Sequence, residues 1–330
     1  MPSVLIDTRS GNNSRSSGWE RYVREIEKRI VGKFGEIQVF PTNFSSEDSR
    51  RRVISDLVML PLTSRKFDLI HFPTFPPIPK VYRNKLTIYH LHDLTWWKYS
   101  DKSSFLGKNY YKLLAQKYVE GSGLITTGTE TVKQEIESFF EIASDRVRVI
   151  TPGVNLCKCP NRSMHKGRPY LLFVGTIEPR KNLELLINAF EKSNISRWLD
   201  LTLAGRFGWG RPLPNGVHAI GAVTEEELHS LYSNCFAVVQ PSLYEGFGLT
   251  LIEAAIHSKP VICSNLRVFH EVLGDSALYV DPFNEQEWIG IFNELSNIKL
   301  EIPNKDAIIN KFNWDNSVGK LIDLYKEMLD

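Results

Sequence analysis

Short apolar runs alternate with longer amphipathic stretches along most of the chain. In the first half the runs are SVLIDT (3–8), IQVF (37–40), DLIHFPT (68–74), KLTIYHL (85–91), LITTG (124–128) and RVRVIT (146–151). Brief β-branched runs bounded by polar turns suit strands buried on both faces of a parallel sheet. Between them, apolar positions at helical spacing predict helices over 19–31, 105–120 and 130–140. The alternation pauses at PGVNLCKCPNRSMHKGRP (152–169), which is polar, rich in Pro and Gly, and without periodicity. It then restarts with YLLFVGT (170–176), DLTLAG (200–205), VHAIGAV (217–223), CFAVVQP (235–241), PVICS (260–264) and ALYVDP (277–282). Helices are predicted over 182–192, 224–233, 249–257, 305–312 and 316–329, and Thr224 with Glu227 forms the signature of a capping box.

This pattern predicts an α/β protein of two Rossmann-like doubly wound domains. The boundaries fall at 1–152 for the first domain, 153–169 for a linker and 170–315 for the second domain. A final helix over 316–330 is expected to return to the first domain. Two such domains would face each other across a cleft at the carboxyl ends of their strands, where open α/β sheets bind ligands.

Composition narrows the class. At 42% hydrophobic and 24% charged, the 330 residues suit an ordinary globular protein. No run reaches the roughly 18 to 20 apolar residues needed to span a bilayer, and the N-terminus lacks a secretory signal pattern. The expectation is a cytoplasmic protein. Cys157, Cys159, Cys235 and Cys263 then read as reduced thiols, and Cys157 and Cys159 have no second Cys/His pair at zinc spacing. Net charge is +2 but uneven, because residues 1–150 carry 23 Lys and Arg against 17 Asp and Glu. A basic first half favours an anionic acceptor or an acidic membrane surface, and ordinary scatter between domains also accounts for it. Arg50, Arg51 and Arg52 read as a solvated helix face; no nucleic-acid motif accompanies them.

Two segments carry chemistry. In SLYEGFGLTLIEAA a strand ends near Pro241, a glycine-bearing turn follows, and a helix begins near Leu249. Amides at a helix N-terminus and the helix dipole together make an anion site. Gly246 and Gly248 let backbone approach such a ligand, Glu245 stands just outside the helix, and Glu253 lies one turn inside it. A carboxylate there suits vicinal hydroxyls such as those of a ribose, so the segment reads as a nucleotide-sugar site. A plain helix start with a surface glutamate fits the same letters. In FVGTIEPRKNLELLINAF a strand ends at Gly175 and a loop presents Arg180 and Lys181, a pair suited to a diphosphate. Solvated loop cations are the alternative there.

These segments resemble glycosyltransferases of family 4, a retaining group with the GT-B fold. VGTIEPRKNLELLINAF and PSLYEGFGLTLIEAA are similar to its most specific segments, the second holding the paired glutamates at the spacing E-x7-E. LAGRFGWG, HEVLGDSALYVDP, FNWDNSVGKLIDLY, SGWERYV, YHLHDLTW and LITTGTETVKQEI resemble flanking segments, so the likeness covers nearly the whole chain. It implies that Glu245 contacts donor-sugar hydroxyls, that Phe247, Gly248, Leu249 and Thr250 offer amides to sugar and phosphate, and that Glu253 binds the ribose. Lys181 and Arg180 would hold the diphosphate, with Thr176 and Gly246 beside it. His92 and Asp93 would line the acceptor side near the reacting carbon, and Gly18 would face the phosphates. The first domain would bind acceptor and the second the donor.

Two departures are visible. Many members carry Gly-Arg after the first strand of the donor domain, whereas here the pair is Gly175-Thr176, so Arg180 or Arg206 would have to substitute. The N-terminal loop reads Ser17-Gly18 rather than Gly-Gly. No Asp-x-Asp occurs, so the expectation is a metal-independent transferase with no cofactor beyond the nucleotide-sugar co-substrate. His71, His165, His218, His229, His257 and His270 lack metal spacing and read as structural.

The resemblance implies transfer of a hexose to a glycan or polyprenyl-diphosphate-linked glycan, with GDP-mannose first among donors. UDP-glucose, a UDP-HexNAc and dTDP-rhamnose follow. A UDP-sugar epimerase and a non-catalytic nucleotide-sugar-binding subunit are the rival readings. Trp96, Trp97 and Tyr99 suit either stacking on an acceptor sugar or packing on a neighbouring helix. Lys98, Lys102, Lys108, Lys112 and Lys117 give the first half a basic face suited to the inner leaflet of a membrane.

Overall fold

The apolar runs become strands flanked by helices in a computed structural model that describes residues 1–9, 18–42, 54–74, 76–78, 81–82, 85–99, 107–121, 123–155, 167–205 and 212–330. The expectations at Arg50–52, Cys157, Cys159, His165, Lys102 and Arg206, with most of the linker, fall outside the described residues, as does the side chain of Lys108. The chain divides into two units, Met1–Gly153 with Asn313–Asp330, and Val154–Phe312.

In the first unit the elements run β1 (Ser3–Ile6), α1 (Gly18–Ile30), β2 (Gly32–Phe34), β3 (Ile37–Pro41), a π-helical turn (Ser55–Met59) continuing as α2 (Leu60–Ser64), β4 (Leu69–Phe72), β5 (Leu86–His90), α3 (Thr95–Lys98), α4 (Gly107–Glu120), β6 (Leu124–Thr127), α5 (Glu130–Phe140) and β7 (Val147–Val149). The sheet order is β2-β3-β1-β4-β5-β6-β7, parallel except for the β2–β3 pair. Val4, Leu5, Ile6, Leu69, Ile70 and Ile88 are fully buried, as strands covered on both faces require. β2 escapes a search for apolar runs because its three residues, Gly-Lys-Phe, hold one apolar side chain.

The second unit runs β8 (Tyr170–Val174), a 3-10 turn (Pro179–Lys181), α6 (Leu183–Lys192), β9 (Asp200–Ala204), β10 (Val217–Gly221), α7 (Glu225–Asn234), β11 (Ala237–Gln240), α8 (Leu249–Ile256), β12 (Val261–Ser264), α9 (Arg267–Leu273), β13 (Leu278–Val280), α10 (Glu285–Glu294) and α11 (Lys305–Lys311). Its six strands are all parallel, in the order β10-β9-β8-β11-β12-β13. α7 opens on the Thr224–Glu227 capping box, with both reciprocal bonds present. Cys235 and Cys263 are buried free thiols.

The helix α12 (Trp314–Leu329) belongs to the first unit, where Trp314, Leu321, Ile322 and Tyr325 join Tyr22, Val23 and Ile26 in one core cluster. It starts two residues before the predicted point because the Asn313 side chain accepts from the amides of Asp315 and Asn316. α9 and α10 had no counterpart in the sequence reading: α9 has only seven residues, and α10 buries only Trp288 and Phe292.

In each sheet the chain starts in the middle and reverses direction of growth, between β1 and β4 and between β8 and β11. Loops leaving the carboxyl ends of two such strands diverge to opposite faces and open a crevice. That topology decides which loop residues meet.

Candidate active site

In the second unit, the loops after β8 and β11 leave the sheet side by side at the reversal point. The Leu243 amide donates to the Arg180 carbonyl at 2.7 Å, tying the loops together through backbone. After β8 the chain makes the 3-10 turn, then Asn182 takes left-handed backbone at φ 55° before α6 begins. Asparagine tolerates that region better than most residues, and its side-chain amide donates to the Pro282 carbonyl at 2.7 Å. The turn thereby presents Arg180 and Lys181 toward the loop after β11.

There they meet Glu245. Arg180 Nη1 donates to Glu245 Oε2 at 2.9 Å and to the Tyr244 carbonyl at 3.2 Å. Glu245 Oε1 accepts from Lys181 Nζ, from Ser242 Oγ at 2.8 Å and from Gln240 Nε2 at 3.1 Å. The carboxylate and Lys181 side chains are each 10% exposed. Burial opposes the charge on Glu245, but Lys181 and Arg180 outweigh it and hold the carboxyl down at about 2. Glu178, 40% exposed, pairs with Arg180 Nε at 2.9 Å on the outer side. The two clusters that the sequence presents separately are therefore one ion-pair cluster in space.

Gly248 stands at the N-terminus of α8 with φ +89°, and a Cβ there would lie 3.0 Å from the Phe269 ring. Only glycine fits both demands. The amides of Leu251 and Ile252 are taken by the Gly248 carbonyl at 3.0 and 3.3 Å, while Leu249 and Thr250, both half-buried, open the helix without an intrahelical acceptor. Phe247 turns its ring edge-on to Phe312, at 5.5 Å between centroids, so its side chain is used in packing. Gly246 is buried and Thr176 is exposed.

Glu253, half-buried, accepts from Tyr232 Oη at 2.8 Å. Tyr232 is 1% exposed and stacks on His257, whose Nδ1 lies 2.7 Å from the Glu253 carbonyl oxygen and whose Nε2 lies 2.6 Å from His229 Nδ1. Tyr232, Gln240, Ser242 and Glu178 were not singled out by sequence. The letters offered only faint signals, a tyrosine near the end of an amphipathic helix and a glutamine closing an apolar strand.

His92, Asp93 and Gly18 lie in the first unit. His92 follows β5, and its Nε2 donates to the Pro73 carbonyl at 3.0 Å, leaving Nδ1 as the acceptor nitrogen. Burial lowers its pKa to about 4, against the opposing pull of Asp93. Asp93 Oδ1 accepts from the Thr95 amide at 2.8 Å. Beside His92, His90 lies edge-on at 4.5 Å and bonds Thr126 and Tyr22. His71, fully buried, bonds Tyr325 Oη at 2.7 Å. Gly18, exposed, begins α1. At the end of β1, Arg9 is 4% exposed and bound by Asp7 and by Asp56, both at 2.7 Å, a cluster no sequence motif announced.

Trp97 packs edge-on to Phe140 at 5.2 Å and tilts against Phe139, as the packing alternative for this aromatic cluster expects. Lys98, exposed, pairs with Glu135 at 2.9 Å, so its charge on the expected basic face is shared with a carboxylate. Among the described residues no group of three or more His, Cys, Asp or Glu is placed to hold a metal ion.

Comparison with known proteins accords with this geometry. Residues 160–311 match the family described as Glycosyl transferases group 1, and residues 24–158 match Glycosyltransferase Family 4. The O-antigen chain mannosyltransferase RfbU of Salmonella typhimurium is 30% identical over 329 residues, covering 96% of this chain and 81% of that protein. The O-antigen chain mannosyltransferase B of Escherichia coli is 28% identical over 288 residues, covering 78% of this chain and 74% of its own. The fold aligns with sucrose-phosphate synthase from Thermosynechococcus elongatus at a TM-score of 0.74 over 99% of both chains, with 17% identity. With two Rossmann-like units of GT-B architecture, the chain belongs to the glycosyltransferases that join a Family 4 segment to a group 1 segment, and is a nucleotide-sugar-dependent enzyme transferring a sugar to an acceptor.

Proposed function

We propose that the chain is a retaining, metal-independent hexosyltransferase that moves mannose from GDP-mannose to a glycan or polyprenyl-diphosphate-linked glycan on the cytoplasmic side of a membrane. The observation that carries this reading is the single cluster of Arg180, Lys181 and Glu245 at the β8/β11 reversal, beside the amides that open α8. Two cations and a helix N-terminus suit a diphosphate, and a buried carboxylate suits sugar hydroxyls. Glu253, held by Tyr232, takes the ribose. Gly18, Thr176 and Gly246 line the phosphates, and His92 and Asp93 serve the acceptor. The names of the two mannosyltransferase relatives support mannose.

Charge on the departing diphosphate grows in the transition state, and Lys181 and Arg180 can follow it there without metal. Glu245 already accepts four hydrogen bonds and ionises at about 2, which makes it a poor nucleophile. That favours front-face attack through a short-lived oxocarbenium ion pair, the acceptor proton passing to the leaving phosphate, over a double displacement on Glu245.

A thermal-shift panel of GDP, UDP, dTDP and their sugars tests the donor, since a ligand that binds the folded state stabilises it by mass action. The largest shift is expected with GDP-mannose; a larger one with UDP-glucose, a UDP-HexNAc or dTDP-rhamnose would reassign it. Turnover unchanged by EDTA and an axial product anomer by NMR are expected with donor and acceptor together. An epimer formed without acceptor would replace transfer by isomerisation.

A further inference from the structure

The segment 54–64 of the first unit turns most of its large apolar side chains outward. Its polar side chains turn inward: Ser55 is 2% and Asp56 8% exposed, with Ser64 also buried. Arg9, from the end of β1, donates to Ser55 Oγ at 2.6 Å and pairs with Asp56 at 2.7 Å, and Tyr111 Oη donates to Asp56 at 3.0 Å. These bonds fix the rotation of the helix about its axis. Leu60 alone of its large apolar side chains is buried, at 1% exposure, while the others face water: Ile54 is 60%, Leu57 52%, Val58 50%, Met59 44% and Leu62 52% exposed. Single exposed leucines are ordinary, but five large apolar side chains on one face of a short helix mark an interaction surface.

Charge selects the occupant. The one carboxylate of this segment, Asp56, is turned inward and paired, while Arg65 and Lys66 at its end are exposed. The outer face is thus apolar, with Arg65 and Lys66 exposed at one end ahead of Asp68, which suits an anionic bilayer surface: apolar groups enter the acyl boundary and cations meet the headgroups. Among the described residues no helix is long and apolar enough to cross a membrane, so contact of this kind lies along the surface. We propose that the face formed by Ile54, Leu57, Val58, Met59 and Leu62 is the membrane-docking surface of this enzyme, in place of the lysine face on α4. This inference deepens the proposed action on a lipid-linked acceptor and rests on that reading for its purpose.

Co-sedimentation of the full chain with vesicles of phosphatidylglycerol and phosphatidylcholine, free of donor and acceptor, tests it independently of the sugar chemistry. Binding is expected to anionic vesicles and not to phosphatidylcholine alone. The double variant Leu57→Asp/Leu62→Asp is expected to lower the partition by about tenfold or more, and the milder Leu57→Ser/Leu62→Ser to lower it less, both with nucleoside-diphosphate affinity unchanged. Lys108→Glu/Lys112→Glu/Lys117→Glu is expected to bind as the wild type. Added salt should weaken binding without abolishing it, because the apolar part of the contact is not screened. No binding at low salt, or unaltered binding by both leucine variants, would overturn the proposal. A self-associated species in sedimentation velocity without lipid that the leucine variants dissociate would also overturn it, giving the face to a second copy of the chain. Transfer to a water-soluble acceptor with vesicle binding intact would count against the lipid-linked acceptor alone.

Discussion

The two sheets share one strand order around their reversal points, yet the charged clusters at those points are built oppositely. At the end of β1 one cation, Arg9, is closed off by two carboxylates, Asp7 and Asp56, and is 4% exposed. Past β8 and β11 two cations share one buried carboxylate, and the second acid, Glu178, stands 40% exposed at the rim. The first arrangement satisfies its cation and orients a helix. The second pairs its two cations with one buried and one exposed carboxylate, so the exposed acid can give way to an anionic ligand beside amides with no intrahelical acceptor. Topology supplies the place in both; whether the second carboxylate is buried or exposed decides whether it is a joint or a site.

Acid should separate the two reversal points most strongly. Around the first, burial holds His71 at about 3 and His92 at about 4, below the ordinary 6.5, and holds His90 well below it. The unfolded chain takes up these protons below about pH 6.5 while the folded chain does not, so stability falls with pH from there. Glu245 acts in another window: its depressed value contributes stability above the ordinary 4.5 that is lost as pH falls toward 2. Urea denaturation at stepped pH should show wild type weakening between pH 6.5 and 4, and His71→Gln flattening that slope. Parallel slopes for the two proteins would remove His71 from the account.

Glu245→Gln leaves Lys181 and Arg180 without their shared anion, and loss of one partner from a buried pair costs about 3–5 kcal/mol. Asp56→Asn leaves Asp7 still on Arg9, so a smaller loss of about 1–3 kcal/mol is expected. Equal losses in denaturant titrations would erase the contrast between joint and site.

Lys181→Ala should lower turnover by about a hundredfold or more while moving donor affinity less, since leaving-group charge peaks in the transition state. Steady-state kinetics with varied donor checks this, and a defect confined to KM would contradict it. The smallest effect is expected from Tyr232→Phe, which removes one hydrogen bond to Glu253, worth about 1 kcal/mol in nucleotide affinity. Glu253→Ala should cost more, about 1.5–3 kcal/mol. If Tyr232 acts by orienting Glu253, its variant loses preference for ribo- over 2′,3′-dideoxynucleotides; a merely structural role lowers the melting temperature and leaves that preference alone.

Much of the fold was legible because strand burial on two faces and helix amphipathicity leave periodic marks. The predicted strand at 124–128 and helix at 130–140 differ from β6 and α5 by one residue at most. β2 left too few apolar positions to register, and α9, with seven residues, too short a run for helical spacing to show. Within the site, Gly248 was legible because a left-handed turn before a helix constrains residue type locally, and so was the capping box at Thr224. Tyr232 was not, because its partner Glu253 stands 21 residues away on another helix.

The sequence by itself determined the alternation of strands and helices, the turn before α8 and the presence of two cations and two glutamates near strand ends, since each follows from local periodicity or backbone sterics. Only the tertiary structure decided that Arg180 and Lys181 close on Glu245, 65 and 64 residues away, and that Asp56 turns inward and pushes Leu57 and Leu62 into water. Such pairings depend on which strands adjoin at a reversal point and on a buried charge finding its counter-ion, and no local pattern in the chain encodes either.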